Sequence, residues 1–427
     1  MKYLYAAVLC LLMCQCKEGR TDLQPAPDSP DTGSKTGFKA ETTLISAFNA
    51  LGGDVAVDDS NYVYVTGTFY ATSPFGTAAG NEDIFLAKYK PSGELVWSRT
   101  LGGPGYDEGR GIDLDKEGNI YVTGDFAQTI SLDGHSATSR GSEDAFVAKF
   151  DRQGGLQWLR SYGSDGGERG HAVAVDGEGN VYATGEFQGT GFFEGNPLQS
   201  AGEFDAFLVK YNTLGDFQWA RSGGGAGRDT GYGLAADVRT GDVYVTGYFT
   251  GNASFGSANV TAAASGPGQG DVFMAKYSPQ GAFQWLRQAG NGSAGGGFDA
   301  AVDGLGDVYF LKRNSTVGYL IKYDANGASK WEQMLRFGGD GMGVAADRLG
   351  NAYVVTSGAA ISKYDANGVL QQVQIPRSTD VLSATGIAVN QKGKLFVTGN
   401  YRGTLTFGGV SKTDAGWLNM FAIGGDL

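Results

Sequence analysis

The chain has 427 residues, with 71 glycines, only 10 prolines and a formal net charge of −12. Glycine without proline, interleaved with Val, Ile, Tyr and Phe, points to strands joined by tight turns and away from disordered or collagen-like chains. The acidic balance argues against nucleic acid and against electrostatic adsorption to anionic membranes.

The chain starts with the basic Met1-Lys2 and an apolar run, Leu4–Met13, too short to span a bilayer and suited to a signal-peptide core. All three cysteines, Cys10, Cys14 and Cys16, lie here. This resembles a bacterial lipoprotein signal, in which one cysteine is acylated and becomes the new N-terminus. Leu11 stands three residues before Cys14, as such signals have it, although Met13 replaces the usual small residue; Cys16 follows Gln15. Both Cys14 and Cys16 are lipidation candidates, and a plain secretory peptide is the alternative. The expectation is a signal over residues 1–16 and a flexible tether over 17–41, rich in Pro and Asp without apolar period. The protein is then exported and held by acyl chains on the bacterial outer membrane or cell surface. Clustering of the cysteines leaves the folded part without disulfide or thiolate site, and its two histidines, His135 and His171, give little for a zinc centre. No metal and no cofactor is implied.

From residue 42 to 427 one unit recurs. Its core reads Tyr64-Val65-Thr66-Gly67, then Tyr121-Val122-Thr123-Gly124, Tyr182 to Gly185 and Tyr244 to Gly247. Weaker copies lie at Tyr309, Tyr353 and Phe396, giving seven in all. In the copy from Gly109, Gly111–Asp115 alternates like a strand, Lys116–Asn119 is a hairpin turn, and Ile120–Phe126 is a second strand. Asp144–Phe150 is a third strand and Leu156–Tyr162 a fourth, so four antiparallel strands form one propeller blade. Trp97, Trp158, Trp219, Trp285 and Trp331 recur in the fourth strand and are expected to pack between blades. Asp83, Asp144, Asp205 and Asp271 precede third strands and are expected to accept backbone N–H bonds there. Extra residues separate second and third strands in the first four copies and the seventh, but not in the fifth and sixth.

The last copy reaches its third strand near Met420–Ile423 and stops. Thr43–Gly53 lines up with Glu94–Gly103, so an N-terminal strand is expected to complete the last blade and close the ring, burying Leu44, Ile45 and Phe48. The fold expected is thus all-β: a seven-bladed β-propeller of four-stranded antiparallel blades.

The run Asp-x-x-Gly-Asn-x-Tyr-Val-Thr-Gly, then Asp-Ala-Phe-Val-Ala-Lys, then Trp, then Gly-Gly-x-Gly-x-Asp-x-Gly, resembles the bacterial seven-bladed beta-propeller (SBBP) repeat family. The resemblance covers residues 43–427, strongest in the first four copies. It implies a secreted or surface-anchored protein and carries no general catalytic constellation, so no catalytic residue is assigned.

Function is expected where copies differ. The equivalent residues at the start of the first strand are Gly53, Arg110, His171, Tyr232, Phe298, Met342 and Thr385. Those after the second strand are Thr68, Asp125, Glu186, Tyr248, Arg313, Ser357 and Asn400. Arg110, Asp125, His171, Glu186, Tyr232 and Tyr248 are the candidate ligand-binding residues, forming a polar and aromatic pocket for a glycan, peptide or protein partner. The reading is a monomeric, non-catalytic binding or scaffold protein, touching the membrane only through its anchor. The alternative is a propeller lyase or hydrolase with an acid–base site near His171 and Glu186.

Overall fold

The computed structural model describes residues 43–426, except 264–268, 291–296, 315–316, 337–340 and 414–417. The chain divides into residues 1–37 and a unit from Phe38 to Leu427, and every described residue lies in the second unit. The expected signal and tether, with Cys14 and Cys16, lie outside the described residues. Described residues form strands and turns and no helix.

Sheet 1 takes Ala50–Val57, Val63–Phe69, Asp83–Tyr89 and Leu95–Leu101 in chain order, each antiparallel to the next. Sheets 2 to 6 repeat that order and begin with Asp107–Leu114, Arg169–Val175, Thr230–Ala236, Gly297–Val302 and Gly341–Ala346. Sheet 7 has Leu382–Val389, Lys394–Tyr401 and Asn419–Asp426. Its fourth strand is Thr43–Phe48, antiparallel to Asn419–Asp426 with Ser46 opposite Phe421.

Each letter of the recurring motif has a physical task. The tyrosine hydroxyls of Tyr64, Tyr121, Tyr182, Tyr309 and Tyr353 bond, at 3.1–3.2 Å, to the aspartate six residues earlier. That aspartate also accepts the N–H that closes the hairpin turn, as Asp115 does from Asn119 at 2.8 Å. Thr66, Thr123, Thr184 and Thr398 donate their hydroxyls to the third-strand carbonyls of Phe85, Phe146, Phe207 and Phe421. Glycine follows because a Cβ at Gly124 or Gly185 would lie 1.9 or 1.8 Å from the first-strand carbonyl oxygen of Glu108 or Arg169.

Neighbouring sheets are clamped at both ends. At the inner end, a Cβ at Gly53 would meet the Gly109 carbonyl oxygen at 2.3 Å, and one at Gly233 would meet Asp299 Cα at 2.5 Å, so first strands lie against each other. First and last sheets touch likewise: Thr385 donates to the Gly52 carbonyl at 2.9 Å, and Asn400 accepts from Gly52 N–H at 2.9 Å. At the outer end, Trp158, Trp219, Trp285 and Trp331 donate to carbonyls in the next sheet's turn at 3.0–3.3 Å. This is the inter-sheet packing expected of them.

Asp83, Asp144, Asp205 and Asp271 accept N–H bonds from Ala79, Arg140, Ala201 and Ala263, four or eight residues back, and pin the loop before the third strand. Their carboxyls occupy the space that side chains at Gly102, Gly163, Gly224 and Gly290 would take. A Cβ at Gly163 would sit 2.1 Å from Asp144 Cγ. Gly163→Ala is therefore expected to destabilise by about 2–3 kcal/mol through overpacking, read as a lower urea midpoint, with Asp144→Ala partly relieving it.

One expectation needs correction. The N-terminal segment is placed four residues away from its expected alignment: Thr43, not Ala47, takes the position of Trp97, opposite Gly424 as Trp97 is opposite Lys88. Gly52 and Gly53 then belong to the first strand of sheet 1 rather than to a link. Strand alternation turns Thr43, Ile45 and Ala47 inward, at 4, 2 and 2 % exposed, and leaves Phe48 41 % exposed. The apparent Leu-Gly-Gly match misled because glycines stand both at the bulge and, a few residues earlier, in the link, as Gly109 and Gly102-Gly103 do. Further, the extra residues between second and third strands form hairpins, such as Thr190–Phe193 with Asn196–Gln199. This hairpin pairs with the fourth strand of sheet 2, Tyr162 opposite Phe193, whose ring stacks on Tyr162 at 4.9 Å. These insertions bind sheet to sheet.

Candidate functional site

A β-bulge interrupts every first strand. The residue left unpaired is Gly53, Arg110, His171, Tyr232, Phe298, Met342 or Thr385, the set in which the copies differ most. A bulge re-aims one side chain out of the pleat without changing the rest of the strand. The residue before it is often glycine for a local reason: a Cβ at Gly170 or Gly231 would meet Thr123 or Thr184 Oγ1 of the preceding sheet at 2.5 or 2.2 Å. The position is thus locked by backbone while the side chain that follows is free to vary.

In sheets 2 to 4 the bulge residues and the second-strand ends gather around two ion-paired groups. Arg110 Nε donates to Asp125 at 2.6 Å and its Nη2 to Glu108 at 2.6 Å. Glu186 is fully buried and accepts two bonds from Arg228, at 2.9 and 2.5 Å, and one from the Thr230 hydroxyl at 2.8 Å. Arg169 reaches Glu186 at 3.4 Å and Glu143 at 3.2 Å. The His171 ring lies 5.2 Å from that of Tyr232, and its Nε2 is buried without a hydrogen-bond partner among the described residues. Tyr248 pairs with Thr230 along the backbone, and its ring leans over Gly270, beside the third strand of sheet 4. All six candidate residues therefore belong to one region, Tyr248 at its margin.

The electrostatics fix each charge state. Burial pushes the His171 imidazole down to about 3, with Arg110, Arg169 and Arg228 acting in the same direction against Glu186, so it is neutral at neutral pH. Burial alone would raise the Glu186 carboxyl; a charge on His171, when present, and the bonds from Arg228 and Thr230 outweigh it, and the carboxyl lies below its ordinary range. Because His171 is neutral near pH 7, Arg228 and Thr230 are what hold that anion. Burial, with Glu108 and Glu143 adding to it, leaves Asp125 at about 6 despite Arg110. The imidazole is thus neutral beside a carboxylate that Arg228 and Thr230 already bond.

Carboxylates in the links between sheets bond the backbone. Asp107, Glu168 and Asp229 accept from Gly103, Ser164 and Gly225 N–H at 2.6–2.8 Å and close the links between sheets. A feature the sequence reading missed is a set of inner carboxyls. Asp54, Asp113 and Asp299 each bond an N–H in the next sheet's first strand, that of Ile112, Val175 or Val344. Burial pushes them up to about 8, 6 and 7, and both Asp299 and Asp113 raise Asp54 further. The available signal was Asp54 and Asp299 standing directly after the bulge, where other copies carry Gly or Ala. Among the described residues no group of His, Cys, Asp and Glu is arranged to hold a metal ion.

The SBBP family model, described as a beta-propeller repeat, matches residues 96–125, from the fourth strand of sheet 1 through the bulge of sheet 2 to Asp125. The chain carries an SBBP beta-propeller repeat. The SBBP match thus ends on a candidate residue and contains Arg110. An uncharacterized WD repeat-containing protein of Acanthamoeba polyphaga mimivirus is 25% identical over 231 residues, 46% of this chain and 17% of that protein. Regulatory protein FlaEY of Caulobacter vibrioides is 27% identical over 145 residues, 33% of this chain and 15% of that protein. The chain therefore spans less than a fifth of the length of the curated relatives it matches. Among solved structures, U3-55K is similar at TM-score 0.54 and 9% identity, covering 91% of this chain and 100% of that one. The Neurospora crassa Pan2 WD40 domain follows at TM-score 0.46 and 11% identity, over 88% and 89%. The first likeness is one of fold alone; with the SBBP repeat and the antiparallel meanders it makes this an all-β propeller fold.

Proposed function

We propose that the sheets close as a seven-bladed ring and that the protein is an envelope-anchored, non-catalytic scaffold whose bulge face binds a protein partner. Supporting closure, Thr43–Phe48 pairs with Asn419–Asp426, and sheet 7 bonds to Gly52 of sheet 1. The observation that carries the binding reading is the bulge set: a fixed backbone device repeated in every sheet presents a different side chain each time. Uniform residues would serve the fold; these do not. Arginines paired to carboxylates, next to the His171 and Tyr232 rings, suit recognition of a polar protein surface or peptide, since Tyr and Arg anchor interfaces.

His171→Ala and Tyr232→Ala break no ion pair, so they test the face without unfolding it. Each is expected to weaken binding to peptide ligands selected on the wild-type protein at least about tenfold, measured by titration calorimetry. Equal affinity in both variants would move the site elsewhere; ligands found only on a glycan array would replace the protein partner by a glycan.

Anchoring rests on the cysteine cluster. Radiolabelled palmitate is expected to label the wild-type chain in a bacterial host and to be lost in Cys14→Ala or in Cys16→Ala, with the protein leaving the membrane fraction. Labelling that survives the double substitution would refute the anchor.

A further inference from the structure

The outer clamp between sheets has a second half, and the interface of Trp331 lacks it although its tryptophan is kept. In sheets 1 to 4 an arginine stands two residues after the fourth-strand tryptophan. Its Nε donates to a glycine carbonyl in the next sheet's turn: Arg99 to Gly154 at 2.9 Å, Arg160 to Gly215 at 2.8 Å, Arg221 to Gly281 at 2.8 Å and Arg287 to Gly327 at 2.7 Å. Each guanidinium also lies over its own tryptophan, 5.1–5.8 Å from the ring centroid. In sheet 5 the tryptophan is Trp331, but two residues on stands Gln333.

The rest of that receptor is intact. Gly368 keeps φ +80°, and a Cβ there would meet Trp331 Cδ2 at 2.8 Å, as at Gly215 with Trp158 and Gly281 with Trp219. At this interface a cleft of about 370 Å³ opens between sheets 5 and 6, its lining including Gln333, Met334, Tyr364, Gly368 and Val369, while Trp331 adjoins it through its contact with Gly368. Met334 and Val369 are 52 and 56 % exposed, so the cleft opens on an apolar surface.

We propose that this cleft binds an arginine side chain of a partner protein, held as the chain holds its own four: guanidinium over Trp331 and donating to the Gly368 carbonyl. The occupant follows from what fills the equivalent place elsewhere in the same molecule. The ring favours a guanidinium by its quadrupole, and a flat five-donor group fits a carbonyl beside an aromatic face better than an ammonium does. The net charge of −12 draws such a cation in. Arg336, exposed and also lining the cleft, repels a run of basic residues, so a single arginine among apolar or acidic neighbours is the ligand class. This site is separate from the bulge face and does not depend on it.

The probe is acetyl-Gly-Arg-Gly-amide, with the lysine peptide as comparison, added to the full chain labelled with 5-fluorotryptophan and followed by fluorine NMR. The arginine peptide is expected to shift one resonance, assigned to Trp331 by Trp331→Phe, saturably and with at least about fivefold tighter binding than the lysine peptide. Gln333→Arg is expected to rebuild the internal clamp, abolish that shift and raise the unfolding midpoint. Absence of a saturable shift in the wild-type protein, equal response to both peptides, or undiminished binding in Gln333→Arg would each overturn the proposal.

Discussion

Glu186→Ala is expected to lower the stability of the folded protein by about 2–3 kcal/mol, measured by urea unfolding. The carboxylate is fully buried, and its removal strands the Thr230 hydroxyl, itself 0 % exposed, without its acceptor. Arg228 is 46 % exposed and can turn to water, and Arg169 keeps Glu143, which holds the loss below that of a fully enclosed ion pair. The pH dependence separates charge from shape. The folded carboxyl titrates below its ordinary value of 4.5, so its contribution is complete above that pH and is lost as pH falls through the lower folded value. The advantage of wild type over Glu186→Gln should therefore be full at pH 7 and shrink below pH 4.5. A gap between the two proteins that stays constant from pH 7 to pH 3 would mean that the side chain acts through its neutral hydrogen bonds and that its charge contributes nothing.

This network also shows how far residue order alone carries. The repeat, its four strands and its turns follow from local chemistry: Asp115 to Asn119, Tyr121 to Asp115 and Thr123 to Phe146 are contacts that a regular hairpin brings into register. The variable positions were legible too, since Arg110, His171 and Tyr232 stand where the copies disagree. What was not legible is that these positions are bulges, because one unpaired residue leaves no mark on alternation until the partner strand is known. The partners of Glu186 were hidden for the same reason. Arg228 and Thr230 come from the next sheet, and an ion pair that crosses sheets has no sequence period. Tyr248 followed the second-strand position correctly, yet its ring lies toward Gly270, a direction that the register does not set.

The N-terminal strand gives the largest expected effect. Deleting residues 1–48 removes the fourth strand of sheet 7 and leaves Asn419–Asp426 with an unpaired edge. An exposed edge next to apolar Met420, Phe421 and Ile423, all 0 % exposed in the intact protein, is an aggregation site. The truncated chain is expected to lose cooperative unfolding and to appear in the insoluble fraction. Point substitutions place the cause more finely. Ile45 is 2 % exposed and packs with Val55, Val63 and Phe396, which brings strands of sheets 1 and 7 together in one core cluster. Ile45→Asp buries a carboxyl with no partner and should cost about 4 kcal/mol or more. Phe48→Asp, three residues on but 41 % exposed, should cost less than about 1 kcal/mol. The pair discriminates between registers, because shifting the strand by one residue exchanges the two faces. A truncated chain that stays soluble and unfolds at the wild-type midpoint would show that sheet 7 does not need this strand, and the ring would then be open.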